Sequence, residues 1–473
     1  MGPPLQEGHF HPMQEDNKVG QVLSNLWHAP GLREKIFWTL GMVVVFRLFV
    51  HIPISGIDQD ILNQLFSSMN FLGGFLDFFS GGALAKFSIV AMGITPYINA
   101  SIIMQLMTGV IPKLEELQKE GGEQGRKQIQ QYTRYLTLTL ATVQGFGMST
   151  WLWRSGAAIG YDPQGAFPYF FIIGTVAILV AGTSFIMWLG EVITERGIGN
   201  GASLMIFAGI IAAIPGYFGK TGELVQSGGA SMFAVGALIV ALLAMLVAIV
   251  FVQEGQRRIP VQSAKRSAVG GRMPGGQQYI PLRVNQGGVM PLIFASSLLI
   301  FPATIAQFLG ESKAATLNWA VSSAAFWDWE NVKGVLLHGL NQFMMALSPS
   351  GWLYFFVYFA LIMFFTFFYA SLTLQPKDLA DNLKKYGAFV PGYKPGKPTA
   401  DFIELVLNRI TFAGGVFLGL IAVLPYLVER ATGVTTLQGL GSTALLIMVG
   451  VAIDLYNQLQ AYLITRKYEG FTS

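Results

Sequence analysis

The 473-residue chain contains no cysteine. Disulfides, iron–sulfur clusters and thiolate zinc sites are therefore excluded together, and nothing about the redox state of its compartment follows. Charge is scarce as well: 12% of residues are Asp, Glu, Lys or Arg, against about 25% in an ordinary soluble domain. The histidines, His9, His11, His28, His51 and His338, are scattered, with no HExxH pattern and no pair set for metal on one helix face. A GxSxG serine elbow is missing. The nearest approach to a phosphate-binding loop is Gly219, Lys220 and Thr221, where the position of the first glycine holds Ile214. No enzymatic site, cofactor or metal is expected. Residues 1–20 place no apolar core behind their charges, so a cleaved leader is not expected and insertion falls to the first long apolar segment.

What the chain has instead is hydrocarbon. Hydrophobic residues make up 52% of it and the mean hydropathy is +0.51. A membrane-crossing helix needs roughly 20 apolar residues. Ten windows qualify, at about 36–55, 85–110, 136–153, 169–190, 201–218, 231–252, 288–309, 352–374, 405–428 and 440–462. The alternating pattern of a membrane β-barrel is absent, so these read as helices. The expected fold class is an all-α polytopic membrane protein with ten transmembrane helices. Five helices per half is an odd number, which reverses the second half and permits two inverted halves with a pathway between them. Residues 35–219 and 220–473 form these halves, and 1–34 a tail. In the tail, Val22, Leu23, Leu26, Trp27 and Leu32 suit either an amphipathic helix on the membrane surface or a disordered stretch.

Lysine and arginine orient the chain. They crowd the connections of one side, before the first window and after the second, fourth, sixth, eighth and tenth. The other side holds only Arg154, Lys220, Lys313, Lys333 and Arg430. Both termini are thus expected in the cytoplasm. Two connections on that side are long and basic. Residues 253–287 set Arg257, Arg258, Lys265, Arg266, Arg272 and Arg283 against the lone acid Glu254, and residues 375–404 contain KKYGAFVPGYKPGK with Pro391, Pro395 and Pro398. These cations either hold the loops inside or form a docking surface for something acidic, such as ribosomal RNA phosphates or an acidic protein face. On the outer side, residues 310–351 carry Trp319, Trp327 and Trp329, suited to an interfacial anchor or a surface helix at an outer mouth.

Within the spans the ionisable residues are Arg47, Glu191, Glu195 and Asp454. Such residues are functional candidates by default, with pairing to a neighbour as the plainer alternative. Few lie near the midplane, which weakens the reading of an ion-coupled carrier. Small and polar side chains gather on two windows, Thr95, Asn99, Ser101 and Gln105 on one and Ser296, Ser297 and Thr304 on the other. They suit hydrogen bonds across a separable seam, or ordinary helix packing. Residues 73–87, GGFLDFFSGGALAKF, are greasy but too short to span, broken by two glycine pairs and charged at Asp77 and Lys86.

The run GGALAKFSIVAMGITPYINASIIMQLMTGVIPKLEEL that begins within this stretch, with GEQGRKQIQQYTRY, GEVITERGIGNG, EGQRRIPVQSAKR, GGVMPLIFASSLLIFPATIA, AFVPGYKPGKPT and LQGLGSTALLIMVGVAIDLYNQLQAYLITRKYEGF, closely resembles the SecY family, the central subunits of bacterial protein-conducting channels. The resemblance runs in order from about residue 20 to the end. It implies two five-helix halves hinged on one side around an hourglass pore, with an apolar waist ring of Ile94, Ile98, Ala202, Ile206, Ile293 and Ile447. Ala202 is smaller than the residue often found there. A re-entrant plug half-helix at about 71–82 closes the waist from outside, formed by Gly74, Phe75, Leu76, Asp77, Phe78, Phe79 and Ser80.

The same resemblance implies a lateral gate between Ser101 and Gln105 on one side and Ser296, Ser297 and Thr304 on the other, through which signal sequences leave for lipid. It implies docking of the SecA motor ATPase and the ribosome at Arg257, Arg258, Lys265, Arg266, Lys394 and Lys397. Lys394 stands where the family usually has arginine, keeping the charge but losing the bidentate fork. The implied partners are the small membrane subunits SecE and SecG, signal peptides, nascent polypeptides and membrane lipid. The implied location is the bacterial cytoplasmic membrane, with no enzymatic activity in this chain. Two other classes remain at this stage: a secondary transporter with inverted repeats, and an insertase scaffold that needs no apolar ring.

Overall fold

A computed structural model of the chain describes residues 31–68, 77, 80–163, 165–229, 231–263, 278–309, 352–432 and 442–469. Each of the ten apolar windows meets a helix. In chain order the helices are α1 (Leu32–Val50), α2 (Gln59–Ser68), α3 (Thr95–Val110), α4 (Pro112–Lys119), α5 (Gly122–Arg154), α6 (Tyr169–Arg196) and α7 (Gly201–Gln226). They continue with α8 (Met232–Glu254), α9 (Met290–Leu309), α10 (Trp352–Thr373), α11 (Pro376–Lys385), α12 (Lys397–Thr432) and α13 (Ser442–Glu469). Among the described residues, six helices are long and apolar enough to cross a membrane by length and composition alone. In hydrocarbon the backbone must satisfy its own polar groups, which is why continuous apolar runs become helices. Side chains mark where two of them begin. Asn200 Oδ1 accepts from Ala202 N at 3.0 Å and Ser203 N at 3.4 Å ahead of α7, and Ser231 Oγ accepts from Ala234 N at 3.1 Å ahead of α8.

The second window departs from its expected form. Helix α3 starts only at Thr95, and residues 81–94 run mostly as turns. Their backbone groups are claimed elsewhere: Ile54 N donates to Phe87 O and Ile89 N to Ile52 O, both at 3.0 Å, with Pro53 bridging Ser88. Phe87, at φ 41°, is completely buried at this corner. It joins Ile54, Leu62, Leu84, Ala91, Met148 and Leu152 in an apolar cluster that seats the turns on α5. The crossing is close enough that a Cβ on Gly182 of α6 would collide with the Ile89 carbonyl oxygen.

In the first half α5 packs on α3 and α6, and in the second α12 packs on α10 and α8. The halves meet where α9 lies against α3 and α5 and where α13 lies against α7. One large apolar cluster runs through that junction.

The two basic connections, read from the sequence as loops, carry a small sheet. Strands β1 (Gln256–Ser263), β2 (Gln278–Arg283) and β3 (Ala388–Phe389) lie in the order β2-β1-β3, both pairings antiparallel. The register sets Gln256 opposite Arg283 and Val261 opposite Gln278, while β3 pairs only at Gln262–Phe389 and Ser263–Ala388. Ile259, Leu282 and Val390 are buried with Ile403 and Val406 of α12, fixing the sheet to the bundle. Pro260 and Pro281 hide the strand signal in the sequence. Both lie beyond the short β3 pairing, where a missing N–H is tolerated as on an edge. The tail 1–30 and the aromatic connection 310–351 lie outside the described residues.

Candidate channel waist, seam and docking face

Four segments bring the expected ring residues into one cluster. Ile94 caps α3 and Ile98 lies in its first turn, Ile206 sits on α7, Ile293 on α9 and Ile447 on α13. All five isoleucines belong to the apolar cluster at the junction of the halves, and water reaches at most 5% of the surface of any of them. Ala202 is partly exposed and packs against the same cluster. Branched apolar side chains gathered at one place offer a hydrated ion no fixed dipole and no hydrogen-bond partner, so its desolvation there goes uncompensated.

Of the plug residues, Asp77 and Ser80 are described; Gly74, Phe75, Leu76, Phe78 and Phe79 lie outside the described residues. Asp77 and Ser80 build a compact turn. Ser80 Oγ donates to Asp77 O at 2.8 Å and accepts from Leu84 N at 3.0 Å, while Asp77 Oδ1 accepts from Ala85 N at 2.8 Å. Gly81 follows at φ 69°, a conformation that favours glycine, and its Cβ position would lie 3.2 Å from Gly209 Cα of α7. Arg47 of α1 donates Nη1–H to Gly81 O at 2.6 Å, and its charge attracts Asp77. Arg47 stood out in the sequence only as a charge late in a span. Its target was hidden because it lies 34 residues away in a turn.

At the seam, Ser296 and Ser297 are buried on α9, and Ser296 Oγ donates to Ile293 O at 2.9 Å. On α3, Gln105 Nε2 donates to Ser101 Oγ at 3.4 Å. A bond that crosses between helices comes from a residue that the sequence did not single out: Tyr369 Oη of α10 donates to Gln105 Oε1. Its ring lies 5.1 Å from that of Phe294 on α9, so one tyrosine touches both sides of the seam. The available signal was a single phenol closing the phenylalanine-rich run FFTFFYA. Thr304 lies on α9.

The other charges flagged in the spans divide. Glu191 of α6 is gripped by Arg134 of α5 through a fork, Nε to Oε1 at 2.8 Å and Nη2 to Oε2 at 2.7 Å, and Gln130 Nε2 donates to Oε1 at 3.1 Å. This is the paired-neighbour reading. Asp454 of α13 lines a small cavity of about 190 Å³ with Asn200, Ser203 and Gln458.

On the basic face, Arg257 and Arg258 stand exposed on β1, with the Arg258 guanidinium 4.8 Å over the Tyr279 ring of β2. Lys394 and Lys397 are exposed in the second loop, braced by a Thr399 Oγ1 hydrogen bond to Lys394 O at 2.8 Å and by Tyr393 stacked on Phe402 at 4.1 Å. Lys265 and Arg266 lie outside the described residues. On α4, Lys119 pairs with Glu115 at 2.8 Å, and that hydrogen bond raises the lysine above its ordinary pKa.

A bundle with six helices long and apolar enough to cross a membrane among the described residues, its halves packed through one apolar cluster, is the architecture of a polytopic membrane protein. Comparison with known proteins gives the family. A sequence model of SecY matches residues 88–456, and the chain is 47% identical over 443 residues to the protein translocase subunit SecY of Synechocystis sp., covering 93% of this chain and 94% of that one. This chain belongs to the SecY family.

Solved structures agree on the fold. One described by the words "the plug domain of the SecY protein" and the closed state of the translocation channel aligns with TM-score 0.61 at 18% identity, over 91% of this chain and 92% of that chain. Sec61 in the canine ribosome–channel complex aligns with TM-score 0.58 at 17% identity, over the same shares.

Proposed function

We propose that this chain is the pore-forming subunit of a protein translocase, passing unfolded secretory polypeptides across the bacterial cytoplasmic membrane and releasing membrane segments sideways into lipid. The observation that supports this reading is a shared apolar cluster: Ile94, Ile98, Ile206, Ile293 and Ile447 arrive from four separate helices and are buried together. Ala202 completes the ring. A ring without fixed polar groups conforms to a passing chain of any sequence and seals again behind it.

The remaining roles follow from position. Residues Gly74 to Ser80 plug the waist from outside, held by Arg47. Ser101, Gln105, Ser296, Ser297 and Thr304, with Tyr369, form the lateral gate through which signal peptides leave. Arg257, Arg258, Lys265, Arg266, Lys394 and Lys397 receive the SecA motor and the ribosome; the relative in the canine complex is itself a ribosome-bound channel. Both termini face the cytoplasm, and residues 35–219 and 220–473 act as the two inverted halves. SecE and SecG are the small membrane partners. The chain itself catalyses nothing, and its partners supply the energy.

The absence of native cysteine makes the test direct. A single cysteine at Ile98 or Ile447 should crosslink to a secretory chain stalled in transit, while cysteines in outer connections should not. Crosslinks from the outer controls and none from either waist site would remove the assignment.

A further inference from the structure

A groove of about 1100 Å³ opens between α10, α11 and α12 at the end of the bundle that carries the sheet. One wall is a single helical face of α10, with Phe364, Phe367, Phe368 and Ser371, and Leu374 just beyond the helix end. Phe364 and Phe367 are 55% and 36% exposed, so at these two rings the wall lies open among the described residues. The mouth is charged: Lys377 and Asp381 come from α11, and Lys397, Asp401 and Glu404 from the start of α12. All five charged side chains are exposed, and no ion pair joins them among the described residues.

Length and charge together select the occupant. From Phe364 to the end of α10 at Thr373 the helix rises about 14 Å, close to the roughly 15 Å depth of one leaflet's hydrocarbon. The apolar wall therefore covers one acyl-chain length and the charges fall at head-group level. Two lysines suit a phosphate. Three carboxylates give the mouth a net negative balance that opposes a purely anionic head group and calls for a cation beside the phosphate. A primary ammonium donates hydrogen bonds to carboxylates, whereas a quaternary ammonium has no N–H to give. We infer that this groove is a binding site for a zwitterionic phospholipid bearing a primary ammonium, its chain along Phe364, Phe367 and Phe368, its phosphate at Lys377 and Lys397, and its amine at Asp401 and Glu404.

The test uses the full-length chain purified with whatever subunits accompany it, and three probes with identical acyl chains carrying a photoactivatable group: phosphatidylethanolamine, phosphatidylcholine and phosphatidylglycerol. Native mass spectrometry should show phosphatidylethanolamine retained about tenfold better than phosphatidylcholine, as expected for two charge-assisted contacts. Irradiation should place its crosslinks within residues 364–374. The double variant Asp401→Asn, Glu404→Gln should lose the preference over phosphatidylcholine with its melting temperature unchanged. Lys377→Gln should weaken both zwitterions alike. Equal retention of all three lipids, a preference for phosphatidylglycerol, crosslinks spread evenly over the lipid-facing helices, or a polypeptide captured in the groove would each overturn the inference.

Discussion

Replacing Arg47 by alanine removes a side chain of α1 that hydrogen-bonds the turn in front of α3. The contact is a charged donor 2.6 Å from the carbonyl of Gly81, and Gly81 is buried, so water does not readily take the lost donor's place. A hydrogen bond of this kind contributes about 1.5–3 kcal/mol, and a buried carbonyl left unpaired keeps its desolvation cost. With about 2 kcal/mol lost from the seated state alone, the balance between the seated and displaced states of the proposed plug shifts by roughly thirtyfold. Single-channel conductance in a planar bilayer, without any translocating chain, reads that balance as open probability. Arg47→Ala should leak ions well above the parent, with Arg47→Lys in between because it keeps the cation and loses the reach. Circular-dichroism melting serves as the control for folding. If Arg47→Ala folds normally and its conductance is indistinguishable from the parent, the latch reasoning is wrong.

Three further outcomes are expected. Tyr369→Phe deletes the bond to Gln105 and should lower the seam's closing energy by about 1 kcal/mol; export of a reporter with a weakened signal peptide should rise, and an unchanged yield would argue that the bond does not hold the seam. Gly182→Ala drives a methyl into the Ile89 carbonyl and should cost about 1–3 kcal/mol, read as a lower melting temperature in detergent; an unshifted melt would mean that the crossing is looser than described. Lys394→Arg restores a planar fork to the second loop and should tighten ribosome or motor binding by a few-fold, measured by biolayer interferometry; weaker binding would show that the site prefers a point charge.

Much of the membrane architecture was legible in the sequence because hydrocarbon leaves the backbone few options. Ten apolar windows met ten helices, and Ile94, Ile98, Ile206, Ile293 and Ile447, far apart in the chain, share one buried apolar cluster. What escaped were features set by distant pairing. The start of α3 moved to Thr95 because residues 51–54 compete for backbone groups that the apolar window alone assigned to a helix. Tyr369 resembles any other aromatic at a helix end until α3 is placed beside it. The strands were hidden because two prolines interrupt their alternation, and β3 is only two residues long. Glu191 and Arg134 were each visible as charges, but their fork joins helices whose packing no periodicity reveals.

The sheet on the basic face is fastened unevenly. Six residue pairs hold β1 to β2, and two hold β1 to β3. The second basic loop is therefore attached to the first by something like a snap fastener, while the first is stitched to itself. Parting the two loops would break only those two pairs of the ladder, but it would also open the apolar cluster that Val390 shares with Ile259 and Leu282, so the hydrocarbon beneath the short strand, and not its ladder, sets how firmly the two sets of cations keep their spacing.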